Sequence, residues 1–286
     1  MAEPIPNKGL SDKLEKKRKR QGDEQTKEEA ETKPAATPAA AADEPSKKKR
    51  KNQKQKQKNK LKKQSEQDVK TQERKDGIDE SIGKMDGSLL CDYFAQRAKK
   101  LDKELSAVEL SDLSVPGSAF LDTTSFDSPR SLEQLPAFLK NFSPKGADLS
   151  KSSTKEGTPH TLVVSAAALR AADVVRALRP FQTKESIVGK LFAKHIKLEE
   201  AKQFLQRART GIGAGTPQRL IDLLESGTLK VDELERIVID GSHIDTKQRG
   251  IFDMRETHLP LLKFLTRPEL RERYGASKNK IQILMF

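Results

Sequence analysis

The sequence predicts an α/β fold with a parallel sheet, preceded by a disordered basic tail. From Thr161 onward, short apolar segments alternate with helical patterns, which is typical of βαβ units. Residues 1–75 carry 23 Lys and Arg against 13 Asp and Glu, whereas residues 76–286 carry a net charge of only +3. The first aromatic residue is Tyr93. Apart from alanine, residues 1–75 hold six apolar side chains, too few to offset the entropy of ordering them, so we expect this part to be disordered.

These observations divide the chain into a tail, residues 1–84, and a folded domain, residues 85–286. The tail holds two basic clusters. The second has 11 Lys or Arg among the 17 residues of 47–63. Such clusters are bound by nuclear import receptors or attach directly to polyanions. The residues assigned to import or polyanion binding are Lys16, Lys17, Arg18, Lys19, Arg20, Lys47, Lys48, Lys49, Arg50 and Lys51.

We therefore expect the tail to provide nuclear import and RNA affinity without sequence specificity. If all eleven charges of residues 47–63 met phosphates on single-stranded RNA, the logarithm of affinity would fall against the logarithm of salt with a slope of about −8. The alternative is a solvated tail that only increases solubility.

The domain opens with helices. Asp86 or Ser88 caps a helix whose apolar residues recur at helical spacing from Leu89 to Leu105. Residues 111–130 mix proline and glycine with isolated aromatics, which predicts an extended segment pinned to the domain. A helix over Leu132–Phe142 follows, and residues 143–160 read as a polar loop.

The second half of the domain alternates strands and helices. Residues 236–240 are the clearest buried strand, because three β-branched residues are consecutive there. The strands are predicted at 162–164, 187–193, 211–215, 236–240 and 280–286. The helices are predicted at 168–178, 198–207, 217–224 and 259–273.

Several classes of site are not expected. A single cysteine, Cys91, excludes a disulfide framework and a metal centre built on several cysteines. Its place on an apolar helix face indicates a core residue. The four histidines lack the close spacing of a helical zinc pair. The longest apolar stretch, Leu162–Leu169, is far too short for a membrane span. We expect no metal, no membrane attachment, and a soluble protein inside the cell.

Nucleotide-binding motifs are also missing. A phosphate-binding P-loop requires G-x-x-x-x-G-K-[ST], but neither Gly83-Lys84 nor Gly189-Lys190 is followed by Ser or Thr. Gly211, Gly213 and Gly215 lack the spacing of a dinucleotide fingerprint. The sequence therefore predicts no catalytic residues, no cofactor and no small-molecule substrate.

One segment does suit phosphate chemistry. Gly215–Arg219 joins the end of a strand to the start of a helix, where free backbone amides, the Thr216 hydroxyl and the Arg219 guanidinium can bind one phosphate. The alternative is plain helix capping, with Thr216 at the N-cap and Pro217 at the first helical position.

The order of these elements resembles the first lobe of a DEAD-box RNA helicase, in which a T-P-G-R segment grips the RNA backbone. Thr216, Pro217 and Arg219 match it, with Gln218 in place of glycine. The resemblance implies a single RecA-like domain with an N-terminal helical extension. It also implies RNA-phosphate contacts by Thr216, Arg219 and, at the start of the helix after the first strand, Arg170.

The departures from that family are as informative. Its D-E-A-D segment corresponds to residues 240–243, where Gly241 replaces the glutamate that positions the attacking water. Residues 143–160, which precede the first strand, contain no P-loop, and we expect no second lobe. ATP hydrolysis needs all of these parts, so the resemblance implies a protein that is not an enzyme.

A closer resemblance rests on three motifs in order: Asp92–Gln96, Lys190–Glu200 and the T-P-x-R segment. Together with the basic tail they are similar to a family of subunits of the U3 snoRNA-containing pre-ribosomal particle, the small-subunit processome. This resemblance implies a role in ribosome assembly in the nucleus and nucleolus.

Three functional hypotheses follow. The first is a non-catalytic assembly factor in pre-rRNA processing that binds pre-ribosomal RNA or processome proteins and a nuclear import receptor. The second is a protein–protein scaffold without RNA contact, which the near-neutral charge of residues 76–286 favours. The third, a nucleotide-dependent enzyme, is the least supported.

Overall fold

A computed structural model describes residues 74–286. The two basic clusters, and the disorder expected of residues 1–73, lie outside the described residues. Residues 74–84 precede the predicted domain start, yet they fold onto the domain as two strands and a short helix. β1 (Arg74–Lys75) and β2 (Ile78–Asp79) form a hairpin whose turn residues Asp76 and Gly77 both have positive φ, as a type I′ turn requires. α1 (Glu80–Gly83) follows.

The helical extension consists of two helices where the sequence predicts one. α2 (Gly87–Leu101) begins at Asp86, whose carboxylate accepts the Leu89 N–H at 2.9 Å. It ends because Asp102 leaves the helical conformation and accepts the N–H of Glu104 instead. A capping box at Ser106 then starts α3 (Ala107–Asp112), so the predicted continuous helix through Leu105 is wrong.

The sheet has five parallel strands in the order β4-β5-β3-β6-β7, and the predicted α/β class is confirmed. All five predicted strands exist, and most are shorter at one or both ends than predicted. Their bounds are β3 Thr161–Val164, β4 Ile187–Leu191, β5 Thr210–Gly215, β6 Arg236–Ile239 and β7 Gln282–Met285.

Helices cover both faces of this sheet. The predicted helix 259–273 is in fact two helices, because Pro268 cannot continue the first one and begins the second. The helix bounds are α4 Leu135–Asn141, α5 Ala168–Ala177, α6 Leu198–Arg207, α7 Pro217–Glu225, α8 Arg255–Leu265 and α9 Pro268–Arg271. No helix within residues 74–286 is long and apolar enough to cross a lipid bilayer.

The core is divided by the sheet into two layers. Alternate residues of each central strand point to opposite faces, as strand geometry dictates. Leu162 and Ile237 join the layer that contains α2, α6, α7 and α8, whereas Val163 and Val238 join the layer that contains α4 and α5. All four side chains are fully buried.

Residues 113–130 run along the outer edge of β7. The Leu121 N–H donates to Ile283 O at 2.8 Å, and Phe120 forms a parallel bridge to the same residue. The segment is thus held by backbone pairing as well as by the aromatic side chains that the sequence indicates. Cys91 lies half-buried on α2 rather than in the core.

Arg130 ties this segment to two others. Its buried guanidinium donates to Gly83 O at 2.9 Å, to Thr123 O at 2.7 Å and to Met285 O. The guanidinium also lies over the Phe138 ring, 5.4 Å from its centroid. Burial lowers the pKa of Arg130 to about 10, so the group keeps its charge at neutral pH. One side chain therefore joins α1, the edge segment and β7.

We expect Arg130→Ala to lower the free energy of unfolding by about 3 kcal/mol, because it leaves buried carbonyl oxygens without a donor. Urea unfolding followed by circular dichroism measures the change. Arg176→Ala, at an exposed ion pair, should change the value by less than about 1 kcal/mol. Equal midpoints for the two variants would contradict the structural role of Arg130.

His258 in α8 makes the stability depend on pH. Its side chain is buried, Nε2 lies 3.0 Å from Phe94 O, and burial lowers its pKa from 6.5 to about 4. The unfolded state therefore binds a proton more readily than the folded state between these values. The stabilisation is present above pH 6.5 and is lost as the pH falls towards 4.

Over that interval we expect His258 to contribute a loss of about 3 kcal/mol. Urea unfolding at pH 7 and pH 4.5 should show a smaller difference for His258→Gln than for the parent chain. His195→Gln, which replaces an exposed histidine outside the core, is the matched control. An identical pH dependence in all three proteins would refute the assignment.

Candidate functional site

The candidate site lies at the edge where the carboxyl ends of the parallel strands meet. The helix after β3 packs on one face of the sheet and the helix after β6 packs on the other. These two neighbouring strands are parallel, but the chain leaves β3 towards β4 and leaves β6 towards β7. The direction in which strands are added therefore reverses between them, and open α/β sheets usually bind ligands at this point. The three side chains predicted to contact RNA phosphate lie here: Arg170 follows β3, and Thr216 and Arg219 follow β5.

An ion pair occupies the point of reversal. Arg170, in the first turn of α5, donates from Nε to Asp240 Oδ2 at 2.8 Å and from Nη2 to Oδ1 at 3.0 Å. The Asp240 side chain is 1% exposed and that of Arg170 is 14% exposed. This bidentate geometry neutralises Arg170. The predicted phosphate contact is therefore already paired with a carboxylate of the protein itself.

The space beside Gly241, which follows Asp240, is occupied by apolar side chains. A β carbon there would lie 2.6 Å from Met285 Cε and 3.0 Å from the Phe252 ring. A glutamate at this position would have to displace buried apolar groups. The packing beneath Gly241 is therefore adapted to the absence of a side chain.

His243 lies next to this ion pair and is half-buried. The hairpin covers it, since Ile78 forms an antiparallel bridge to it. Burial, and then the positive charge of Arg170, lower the pKa of the imidazole. His243 is therefore neutral at physiological pH and adds no positive charge to the edge.

Thr216 is the N-cap residue of α7, as predicted. Its backbone is extended, with φ −101° and ψ 150°, and its carbonyl accepts the Leu220 N–H at 3.1 Å. Its side chain does not cap the helix. The half-buried hydroxyl of Thr216 therefore remains available at the amino end of α7.

Arg219 points into the protein. Arg219 is 8% exposed, and both of its Nη atoms donate to Ile196 O at 3.2 Å. Ile196 lies in the loop between β4 and α6, so the guanidinium fastens that loop to the start of α7. The structure thus places Thr216 and Arg219 together, but it joins Arg219 to a carbonyl oxygen.

The loop that Arg219 fastens carries basic residues that the sequence analysis does not select. Lys194, His195 and Lys197 are all exposed. They follow β4, the neighbour of β5, and so lie at the same edge as Thr216. In the sequence, these residues can be recognised as a cluster of basic residues shortly after a strand. They form a second source of positive charge beside the T-P-x-R segment.

Within the described part of the chain no group of three or more His, Cys, Asp or Glu side chains could hold a metal ion. Residues 143–160, where the helicase resemblance places a P-loop, form irregular loops and turns.

Comparison with known proteins finds a family. The family model described as U3-containing 90S pre-ribosomal complex subunit, CMS1, matches residues 7–286. Protein CMS1 of Chaetomium thermophilum is 52% identical over 210 residues, which cover 73% of this chain and 84% of the relative. Protein cms1 of Schizosaccharomyces pombe is 31% identical, over 67% of this chain and 68% of its own. Human protein CMSS1 is 28% identical, over 68% of this chain and 63% of its own.

Among solved structures, the yeast DEAD-box splicing factor Prp28 aligns with 52% of this chain and 31% of its own length. The alignment has 22% sequence identity and a TM-score of 0.33.

The ion pair at the candidate site makes a prediction about stability. We expect Asp240→Asn to destabilise the domain by about 3 kcal/mol or more, because it leaves the Arg170 charge largely buried without a carboxylate. The double variant Arg170→Gln, Asp240→Asn should recover part of that loss, since no unpaired charge remains. Urea unfolding of the two single variants and the double variant gives the coupling energy. Additive effects would show that the pair is not coupled.

Proposed function

The chain belongs to the family of U3-containing 90S pre-ribosomal complex subunits, and from this membership we propose that it is a non-catalytic assembly factor that contacts pre-ribosomal RNA. Membership of the family places the protein in ribosome biogenesis. The RNA contact, the absence of catalysis, and a location in the nucleus and nucleolus are the further content of the proposal.

The absence of ATP hydrolysis is supported by the chemistry at the strand ends. Phosphoryl transfer requires a phosphate cradle, a magnesium ion and a positioned water. Asp240, the acidic group at the end of β6, is held by Arg170 in a bidentate pair. The next position, Gly241, carries no carboxylate, and apolar side chains occupy the space beside it. Neither position is arranged to bind magnesium or to orient water.

The RNA contact is supported by one observation above all: Arg219 binds Ile196 O and so joins the T-P-x-R segment to the basic loop. Lys194 and Lys197 are exposed on that loop, and Thr216 lies at the amino end of the neighbouring helix. Lysines, a hydroxyl and a helix N-terminus are groups that bind a phosphate backbone without reading its sequence. Arg219 is then a positioning residue, and Lys194, Lys197 and Thr216 touch the RNA.

The tail completes the proposed function. Its basic clusters at residues 16–20 and 47–51 are the binding sites for a nuclear import receptor and a source of electrostatic attraction to RNA. Attraction of this kind is sequence-independent, so the tail raises affinity and the folded domain sets where the protein attaches.

A second candidate is a protein–protein scaffold whose domain does not touch RNA. The arrangement of the predicted arginines favours it, because Arg170 and Arg219 both donate to groups of the protein itself. The low net charge of residues 76–286, +3, points the same way.

The two candidate functions predict different RNA affinities for a chain whose tail has been neutralised. We expect the full chain with glutamine at every Lys and Arg of residues 16–20 and 47–63 still to bind a mixed-sequence, 20-nucleotide single-stranded RNA in a fluorescence anisotropy titration. Adding Lys194→Gln and Lys197→Gln should reduce the magnitude of the salt slope by about 1.4, at about 0.7 for each lost phosphate contact. Arg219→Gln should weaken binding too, because the loop loses its anchor.

Lys230→Gln with Lys263→Gln removes the same charge from two exposed lysines elsewhere on the domain and is the matched control. An equal loss with this control would mean that only net charge matters. No RNA binding by the tail-neutralised chain would favour the scaffold.

A further inference from the structure

The two edges of the sheet are treated differently by the fold. Along β7, the chain supplies its own cover: the Leu121 N–H donates to Ile283 O at 2.8 Å, and the Thr123 hydroxyl and Arg130 donate to Met285 O. These bonds engage carbonyl oxygens that an end strand would otherwise leave without partners. Strand pairing with another chain is therefore blocked at this edge.

The opposite edge, β4, is open among the described residues. β4 pairs only with β5, and no hydrogen bond from outside the sheet reaches the backbone of residues 188–191 within residues 74–286. Every second residue of an end strand turns its N–H and C=O away from the sheet. In β4 the outward-facing residues are Lys190, which is exposed, and Val188, which is 3% exposed and lines a groove beside the strand.

A groove of about 400 Å³ lies along this open edge. Its walls come from α5 on one face of the sheet and α6 on the other, and its surface is part apolar and part polar. The apolar residues that line it are Val175, Ile187, Val188, Ile196, Ala201 and Phe204. Phe204 and Ile196 are only partly buried, so apolar surface remains exposed beside the free strand.

The rim of the groove is positively charged. Arg179 and Lys190 are exposed, and neither forms an ion pair with another described residue. Glu200 is the acidic lining residue, and its carboxylate accepts the backbone N–H of Lys197 at 3.1 Å in the cap of α6, so two cations face one anion around the groove. Lys184 and Lys194, also exposed, flank β4 in the chain.

We propose that the open edge of β4 is a docking site for an extended, acidic segment of a partner protein, which adds a sixth strand to the sheet. Backbone hydrogen bonds to β4 supply affinity, and alternate side chains of the segment enter the apolar groove. The side chains between them are Asp or Glu and face Arg179 and Lys190. This docking site adjoins the proposed RNA-binding loop, and it does not require that loop to bind RNA.

Charge also distinguishes this occupant from two others. The basic clusters of the tail would meet Arg179 and Lys190 with like charge, and its acidic stretch, residues 23–31, has Ala30 as its one apolar residue and so cannot fill the groove. A second copy paired edge to edge would bring two copies of the same basic rim together. A segment of another protein in which apolar residues alternate with Asp or Glu matches both the charge of the rim and the apolar lining.

The test is selection of a random twelve-residue phage-displayed peptide library on the full chain. We expect enriched peptides in which apolar residues alternate with Asp or Glu. Selection on Arg179→Glu, Lys190→Glu should instead enrich Lys and Arg at the alternate positions. An acidic peptide selected on the parent chain should slow amide exchange at residues 187–191 of that chain. The same peptide should bind the Arg179→Glu, Lys190→Glu variant about tenfold more weakly.

Lys230→Glu with Lys263→Glu changes the net charge equally at exposed lysines outside the groove, and it should leave both peptide affinity and selection unchanged. The proposal is overturned if enriched peptides lack alternation or if exchange slows elsewhere than at residues 187–191. It is also overturned if a synthetic peptide of residues 47–63 displaces the selected peptide. A dimer in sedimentation equilibrium that protects residues 187–191 would assign the edge to a second copy.

Discussion

A parallel sheet must be covered on both faces, and this constraint organises the molecule. Residues on the central strands alternate between two apolar layers, with Val163 and Val238 in one and Leu162 and Ile237 in the other. Neither face of the sheet is exposed to solvent, so the polar and charged side chains of the strands themselves lie at the strand ends and on the two outer strands. The candidate site and the open strand β4 lie at these places.

Near the strand ends, buried and half-buried arginine side chains bind groups of the protein itself. Arg170 pairs with Asp240, Arg219 holds Ile196 O, and Arg130 binds three backbone carbonyls. Guanidinium groups suit this use because their planar array of donors satisfies several buried acceptors at once. The free positive charge at this edge is consequently provided by lysines on a loop.

The two outer strands of the sheet differ in whether the chain covers their outer side. One is closed by the segment around Phe120 and Leu121, which pairs with β7. The other carries a strand that is unpaired on its outer side among the described residues, between α5 and α6. A protein that assembles with others benefits from one open edge, provided that the second cannot pair non-specifically. The basic loop lies beside the open edge, because β4 forms that edge and the loop directly follows β4 in the chain.

The sequence alone determined the elements whose signals are local. Apolar runs such as Ile237–Ile239 predict buried strands, and Pro217 after Thr216 predicts a helix start, because both depend on neighbouring residues. Two further local signals lie in the sequence: Asp76-Gly77, which forms the type I′ turn, and Pro268, which begins α9. The family resemblance, carried by motifs in order, was confirmed.

Only the tertiary structure decided where the charged side chains point. Arg170 and Asp240 are 70 residues apart, and Arg130 and Met285 are 155 apart. No local pattern encodes these pairings, because they depend on strand order and on which helix covers which face. The same holds for the edges: the sequence identifies β4 and β7 as strands, but which edge the chain covers is settled when residues 113–130 pack against β7.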